Sequence, residues 1–164
     1  MKEVIDYAIE QKVDSINLFS SVYNLAILYY QINYMDSAGL TFARCLDIAK
    51  QTDNHYFYYK TYLGYNRVNS FLGKYDSATY YTELGLKLSL AINYKIGIAN
   101  NYNQLGVLAG RIGNNAIAAE YKEKSLEIAQ EIKDTLSIFY SAYNLAIHYQ
   151  EDKSYKKSLG HCFY

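Results

Sequence analysis

The sequence predicts an all-α chain, a solenoid of antiparallel helix pairs, and three observations carry that prediction. The word YNLAI is spelled twice, at residues 23–27 and 143–147, 120 residues apart. A shift of one third of that interval, 40 residues, lays the chain on itself without gaps. Apolar residues recur at spacings of three and four, in a chain with no proline to break a helix. Under the 40-residue shift Leu25 meets Tyr65, Leu105 and Leu145, Ala38 meets Ala78 and Ala118, and Leu46 meets Leu86 and Leu126. Small residues fall on small ones and large apolar ones on large ones, the mark of a stacked repeat.

The elements follow in chain order. Residues 2–11 read as the second helix of an incomplete unit. In the unit 15–51, Val22, Leu25, Ala26, Tyr29 and Ile32 share one helical face. A break at 33–36 precedes a second helix with Ala38, Phe42, Cys45, Leu46 and Ala49 on its stripe. The units 55–91 and 95–131 repeat the scheme, with Gly73 and Gly113 suiting tight turns after a helix C-terminus. A partial repeat occupies 135–164. Asp14, Asp53-Asn54, Asn93 and Asp134 stand where N-caps of the first helices are expected. Period-two alternation is absent, which excludes a strand reading. The 164 residues form one expected domain that starts and stops inside a unit, as a piece of a longer array would.

Composition narrows the function. Sixteen basic and sixteen acidic residues cancel, so no field draws the chain to nucleic acid or to an anionic membrane. No apolar run is long enough to span a bilayer, and Lys2, Glu3 and Asp6 interrupt any signal-peptide core. Cys45 and Cys162, in no metal-type spacing, suit a reducing compartment. The cytoplasm is therefore expected, with the periplasm as the alternative for a segment of a membrane-anchored regulator.

The residues resemble the tetratricopeptide repeat family. Leu25-Ala26, Tyr29, Ala38, Phe42 and Cys45-Leu46 follow its pattern, as do Leu105-Gly106, Gly113, Ala118, Tyr121 and Ser125-Leu126, and Leu145-Ala146, Tyr149 and Tyr155. The second unit departs at Tyr65-Asn66 but keeps Gly73, Tyr75, Ala78, Tyr81 and Leu86. The period is 40 where the family's is about 34, and the proline that closes its second helix is missing. About six more residues lengthen both helices by roughly a turn. The resemblance implies a right-handed superhelix whose first helices line a concave groove. Long-unit members are sensor or scaffold segments, frequently beside a kinase or DNA-binding domain in bacterial regulators.

The groove face that the resemblance implies starts with Tyr23, Asn24 and Ile27 and continues through Lys60 and Arg67. It then offers Asn103, Gln104 and Val107, and ends on Tyr143, Asn144 and Ile147. Packing makes no demand on this face, so these residues are the expected peptide-binding set. Carboxamides both donate and accept, so Asn24, Gln104 and Asn144 suit the backbone of an extended peptide. Lys60 and Arg67 form a positive rung for a carboxylate or phosphate. Asn66 and Asn69 fall in slots held elsewhere by small or aromatic residues. Their expected role is structural, bonded to neighbouring helices or water, with a distorted ligand pocket as the alternative.

Catalytic chemistry finds no support. His55, His148 and His161 are scattered, His161-Cys162 is a weak metal signal, and Glu123, Glu127 and Glu131 with Lys122 and Lys124 read as a solvated face. No cofactor and no metal are expected. The leading expectation is a non-catalytic module that binds a peptide or helix of a partner protein. A sensory segment of a larger bacterial regulator is the alternative. A third role is self-association end to end, through stripes such as Leu145 and Tyr149 left exposed.

Overall fold

A computed structural model of the protein describes residues 14–151. The expected helix at 2–11, the segment 152–164, and with them His161 and Cys162, lie outside the described residues. Seven helices run in order among these residues: α1 (Ser15–Gln31), α2 (Met35–Thr52), α3 (His55–Phe71), α4 (Tyr75–Ala91), α5 (Lys95–Arg111), α6 (Asn115–Glu131) and α7 (Thr135–Glu151). The architecture is all-α, built of sequential helix pairs.

The turns explain the regularity. A residue with positive φ follows each of the first six helices, at Asn33, Asp53, Gly73, Asn93, Gly113 and Lys133, one every 20 residues. The amide after it reaches back five residues, from Tyr34 to the Tyr29 carbonyl, Lys74 to Asn69, Tyr94 to Ser89 and Asn114 to Ala109. This is the left-handed C-terminal lock that glycine and asparagine favour. Two sequence expectations change here. Asp53 and Asn93 are not N-caps but the left-handed residues that end α2 and α4. The caps are Asp14, which accepts from Ile16 N, and Asn54, which accepts from Tyr56 N and Phe57 N. Asn114 and Asp134 cap α6 and α7 in the same way.

The described chain divides into two compact units, one ending at Lys74 and one beginning at Tyr75. In the N-terminal unit, α1, α2 and α3 enclose an apolar core of Phe19, Ala26, Ala38, Phe42, Cys45 and Ile48, among others. Phe42 is its fully buried plug. A Cβ on Gly64 would lie 2.2 Å from the Phe42 ring, so only glycine lets α3 approach it. Gly64 thus serves packing rather than the open face. Burial also holds the Cys45 thiol protonated, its pKa pushed up to about 12, so it is a packing group rather than a nucleophile.

In the C-terminal unit, α4 to α7 pack through small residues and buried polar pairs. A Cβ on Gly106 would meet the Ala118 carbonyl at 3.0 Å, so α5 and α6 are nearly in backbone contact. Ser125 Oγ donates to the Ala99 carbonyl (2.8 Å) and pairs with Ser141 Oγ (2.9 Å), joining α5, α6 and α7. Asn101 Nδ2 donates to the Gly97 carbonyl and to Ser89 Oγ. Leu126, Leu145 and Tyr149 close the α6–α7 contact. Leu145 and Tyr149 are therefore buried, and the expected exposed stripe for end-to-end stacking is not there. Tyr149 also donates its hydroxyl to Glu123, and burial with that bond raises its pKa. Asn69 bonds the Tyr65 carbonyl one turn back (2.8 Å), and Asn66 is buried with a partner of its own.

Candidate functional site

Each unit carries a cleft along its first helices. In the N-terminal unit a cleft of about 370 Å³ lies between α1 and α3. Tyr23, Asn24 and Lys60 line it with Phe19, Tyr56 and Phe57. Asn24 is exposed, as a ligand-facing carboxamide must be. Tyr23 is not: its side chain is 8% exposed, packed edge-on against Phe42 and beside Phe19. Packing does demand it, contrary to the sequence expectation. Burial raises its pKa, partly offset by the Arg67 charge. Lys60 holds its ammonium 5.0 Å from the Tyr23 ring centre and 5.9 Å from that of Tyr56. Its pKa is lowered, by burial first and then by Arg67. Ile27 packs against the core, and exposed Arg67 lies outside the cleft wall. Of the first five residues, then, the cleft gathers three.

In the C-terminal unit a larger cleft, about 520 Å³, is bounded by α5, α6 and α7. Val107, Asn144 and Ile147 line it, and with them Arg111, Asn115, Lys122 and His148. None of its lining residues is acidic. Asn144 Nδ2 donates to Asn103 Oδ1 at 3.1 Å, fixing the carboxamide across from α5 to α7. Gln104 is half-buried and outside the wall, and Tyr143, 55% exposed, does not line it either, although it stands one turn before Ile147.

Lys122 is the residue sequence reasoning misread. It is 6% exposed, not part of a solvated face. Its stem lies over Gly106, where a Cβ would come 2.7 Å from Lys122 Cγ. The 40-residue register contained the signal. Lys122 stands in the slot that Phe42 and Thr82 fill, both buried. Asn144 likewise stands where Gly64 does, and His148 where Val68 and Leu108 do. The same three positions that make an apolar plug in the N-terminal unit are a cation, a carboxamide and an imidazole here. Arg111 adds a guanidinium over the Tyr75 ring, 5.9 Å from its centre. Such a lining can hold an anionic or carbonyl-rich segment by charge-assisted and carboxamide hydrogen bonds.

Among the described residues no group of three His, Cys, Asp or Glu side chains could hold a metal ion. No described helix is long and apolar enough to cross a membrane.

No protein-family model matches the sequence, and no curated protein does. Solved structures do. A Rap protein complexed with competence and sporulation factor superposes with a TM-score of 0.83 at 16% identity, over 95% of this chain and 44% of that one. The apo form of RapI gives 0.81 at 14% identity, over 97% of this chain and 58% of that one. A signal-transduction ATPase with a tetratricopeptide repeat sensor, from Pyrococcus horikoshii, gives 0.78 at 17%, over 92% of this chain and 23% of that one. The chain thus spans less than two thirds of the length of each. At these identities the likeness defines architecture alone, and that architecture is the helical-repeat fold of tetratricopeptide proteins.

Proposed function

We propose that the protein is a non-catalytic interaction module and that the α5–α6–α7 cleft binds an extended peptide segment of a partner, seating an acidic group beside Lys122 and Arg111. One observation carries this reading. Where the N-terminal unit has Phe42, Gly64 and Val68, the C-terminal unit has Lys122, Asn144 and His148 around a cleft with no acidic residue in its wall. The complex of a similarly folded Rap protein with competence and sporulation factor is consistent with a protein or peptide partner as the ligand class. The interior polar side chains, Ser125, Ser141 and Asn101 among them, serve hydrogen bonds within the packing rather than chemistry. In the N-terminal unit, Asn24 and Lys60 offer a smaller peptide-contact wall, with Arg67 contributing charge.

Peptide display against the intact chain tests the reading. Selected peptides should be enriched in Asp or Glu, and Lys122→Met or Asn144→Ala should weaken them about tenfold or more. Melting temperature should stay nearly unchanged in Asn144→Ala. Selection without acidic enrichment, or affinity indifferent to both substitutions, would refute the cleft.

A second reading is a sensory segment of a larger regulator, favoured by the likeness to an ATPase with a repeat sensor. A kinase or DNA-binding domain in the same reading frame would carry it, and further repeats alone would favour a scaffold.

A further inference from the structure

The cleft between α1 and α3 holds a cation that its surroundings leave without an acceptor. Lys60 is half-buried in the wall of that space of about 370 Å³. An ammonium carries three N–H donors. Among the described residues Lys60 forms no ion pair and no hydrogen bond. Its contacts are the Tyr23 and Tyr56 rings, 5.0 and 5.9 Å from the ammonium, whose faces attract the charge but stand too far off to accept its protons. The Arg67 charge adds to the positive field there, and burial with that charge lowers the Lys60 pKa. Asp14 and Asp53 are close in sequence to the lining residues Ile16 and Asn54, yet neither lines the cleft. Asp14 accepts instead from Ile16 N and Asn17 Nδ2.

Around the ammonium the walls form an apolar bed. Phe19 and Phe57 line it from the core, stacked with ring centres 4.0 Å apart and planes 3° apart. Tyr56 lies half-exposed at the rim, and Asn24 brings an exposed carboxamide from α1. Small-ligand sites have this make-up, apolar and aromatic walls with a few placed polar groups, in volumes of about 300–1,000 Å³. The combination is not a property of the repeat. The 40-residue register puts Ile96, Gly97 and Asn100, and then Leu136, Ser137 and Tyr140, where α3 has Tyr56, Phe57 and Lys60. Of the three first helices compared, α3 alone pairs two rings with a cation at these positions.

We propose that the α1–α3 cleft is a binding site for a small aromatic acid, its anionic group held by Lys60 and Asn24 and its ring seated among Phe19, Tyr56 and Phe57. The anion supplies the acceptors that the ammonium lacks, in charge-assisted hydrogen bonds. The ring gains area against side chains that are already stacked, so little order remains to be imposed on binding. The site is distinct from the α5–α6–α7 cleft and does not rest on the peptide reading of it.

Calorimetric titration of the intact chain with benzoate, indole-3-acetate and 2-naphthoate tests the proposal. At least one should bind saturably with a Kd below about 1 mM. Acetate, which lacks the ring, and 2-naphthamide, which lacks the charge, should bind about tenfold more weakly or worse. Lys60→Met should weaken the acid about tenfold, Asn24→Ala by less, and Lys122→Met not at all. Asn24 is exposed, so an unchanged circular-dichroism melt is expected of its variant, which carries the test if Lys60→Met does not fold. No saturation by any of the three acids, equal binding of 2-naphthamide, or affinity indifferent to both α1–α3 substitutions would overturn the proposal. Loss of binding in Lys122→Met would move the acid to the other cleft and overturn it too. So would tighter binding of the tripeptide Gly-Gly-Phe than of every free acid, which would assign the cleft to a peptide end.

Discussion

The slot at residue 42 and the slot at residue 122 are the same position of the repeat, and they hold opposite chemistry. Phe42 is fully buried between Cys45, Tyr23 and the bare backbone of Gly64. Lys122 is nearly as buried, yet it lies over Gly106 and lines a cleft with Asn144 and His148. The lesson is that a repeat fixes where a side chain points, not what it must be. One unit uses the position to fill its core, and in the other it lines a cleft. The neighbouring slot follows suit: Cys45 packs as an apolar atom, whereas its counterpart Ser125 is tied into hydrogen bonds with Ala99 and Ser141.

The largest effect should come from emptying the plug. Phe42→Ala is expected to cost about 3–5 kcal/mol, because the rigid walls around the ring cannot collapse on it. Chemical denaturation measures this, and a cost under about 1 kcal/mol would remove the contrast between the slots. Exchanging the neighbours comes next. Ser125→Ala leaves Ser141 short of its partner, and Cys45→Ser buries a hydroxyl in an apolar core; each should cost about 1–3 kcal/mol in thermal or denaturant melts. A neutral Cys45→Ser would show that the N-terminal core is less apolar than its lining suggests. Lys122→Met keeps the volume and should change stability by less than about 1.5 kcal/mol while abolishing selection for acidic peptides. If it instead unfolds the chain, the cation is structural. Smallest is Lys133→Gly. A lysine at φ 54° occupies backbone that glycine adopts freely, so the change should stabilise by about 0.5–1 kcal/mol, read as a higher melting temperature.

The fold was legible because its signals were redundant. Stripes at three and four, small residues at 26, 38, 106 and 118, and glycines at 73 and 113 all pointed to the same hairpins. Asp53 and Asn93 were misplaced by function rather than location, since the residue types that begin helices also tolerate the left-handed turn that ends them. The site was less legible. Lys122 sits amid Glu120, Glu123 and Lys124, and in a one-dimensional reading local charge outweighs register. Tyr23 and Tyr143 belong to the same word, but only the three-dimensional arrangement shows that α3 covers the first. Leu145 was expected at an open end because stacking direction cannot be read from spacing; the rings left open are Phe139 and Tyr143.

The left-handed residues at 33, 53, 73, 93, 113 and 133 mark equal intervals along the backbone. Adding or deleting one residue within any helix would swing everything beyond it by about 100°, bringing core positions to the solvent and solvent positions to the core. Such a chain can change its vocabulary at nearly every slot, from phenylalanine to threonine to lysine, and still fold. What it cannot change is its metre, and the variety of surfaces open to this scaffold follows from that division.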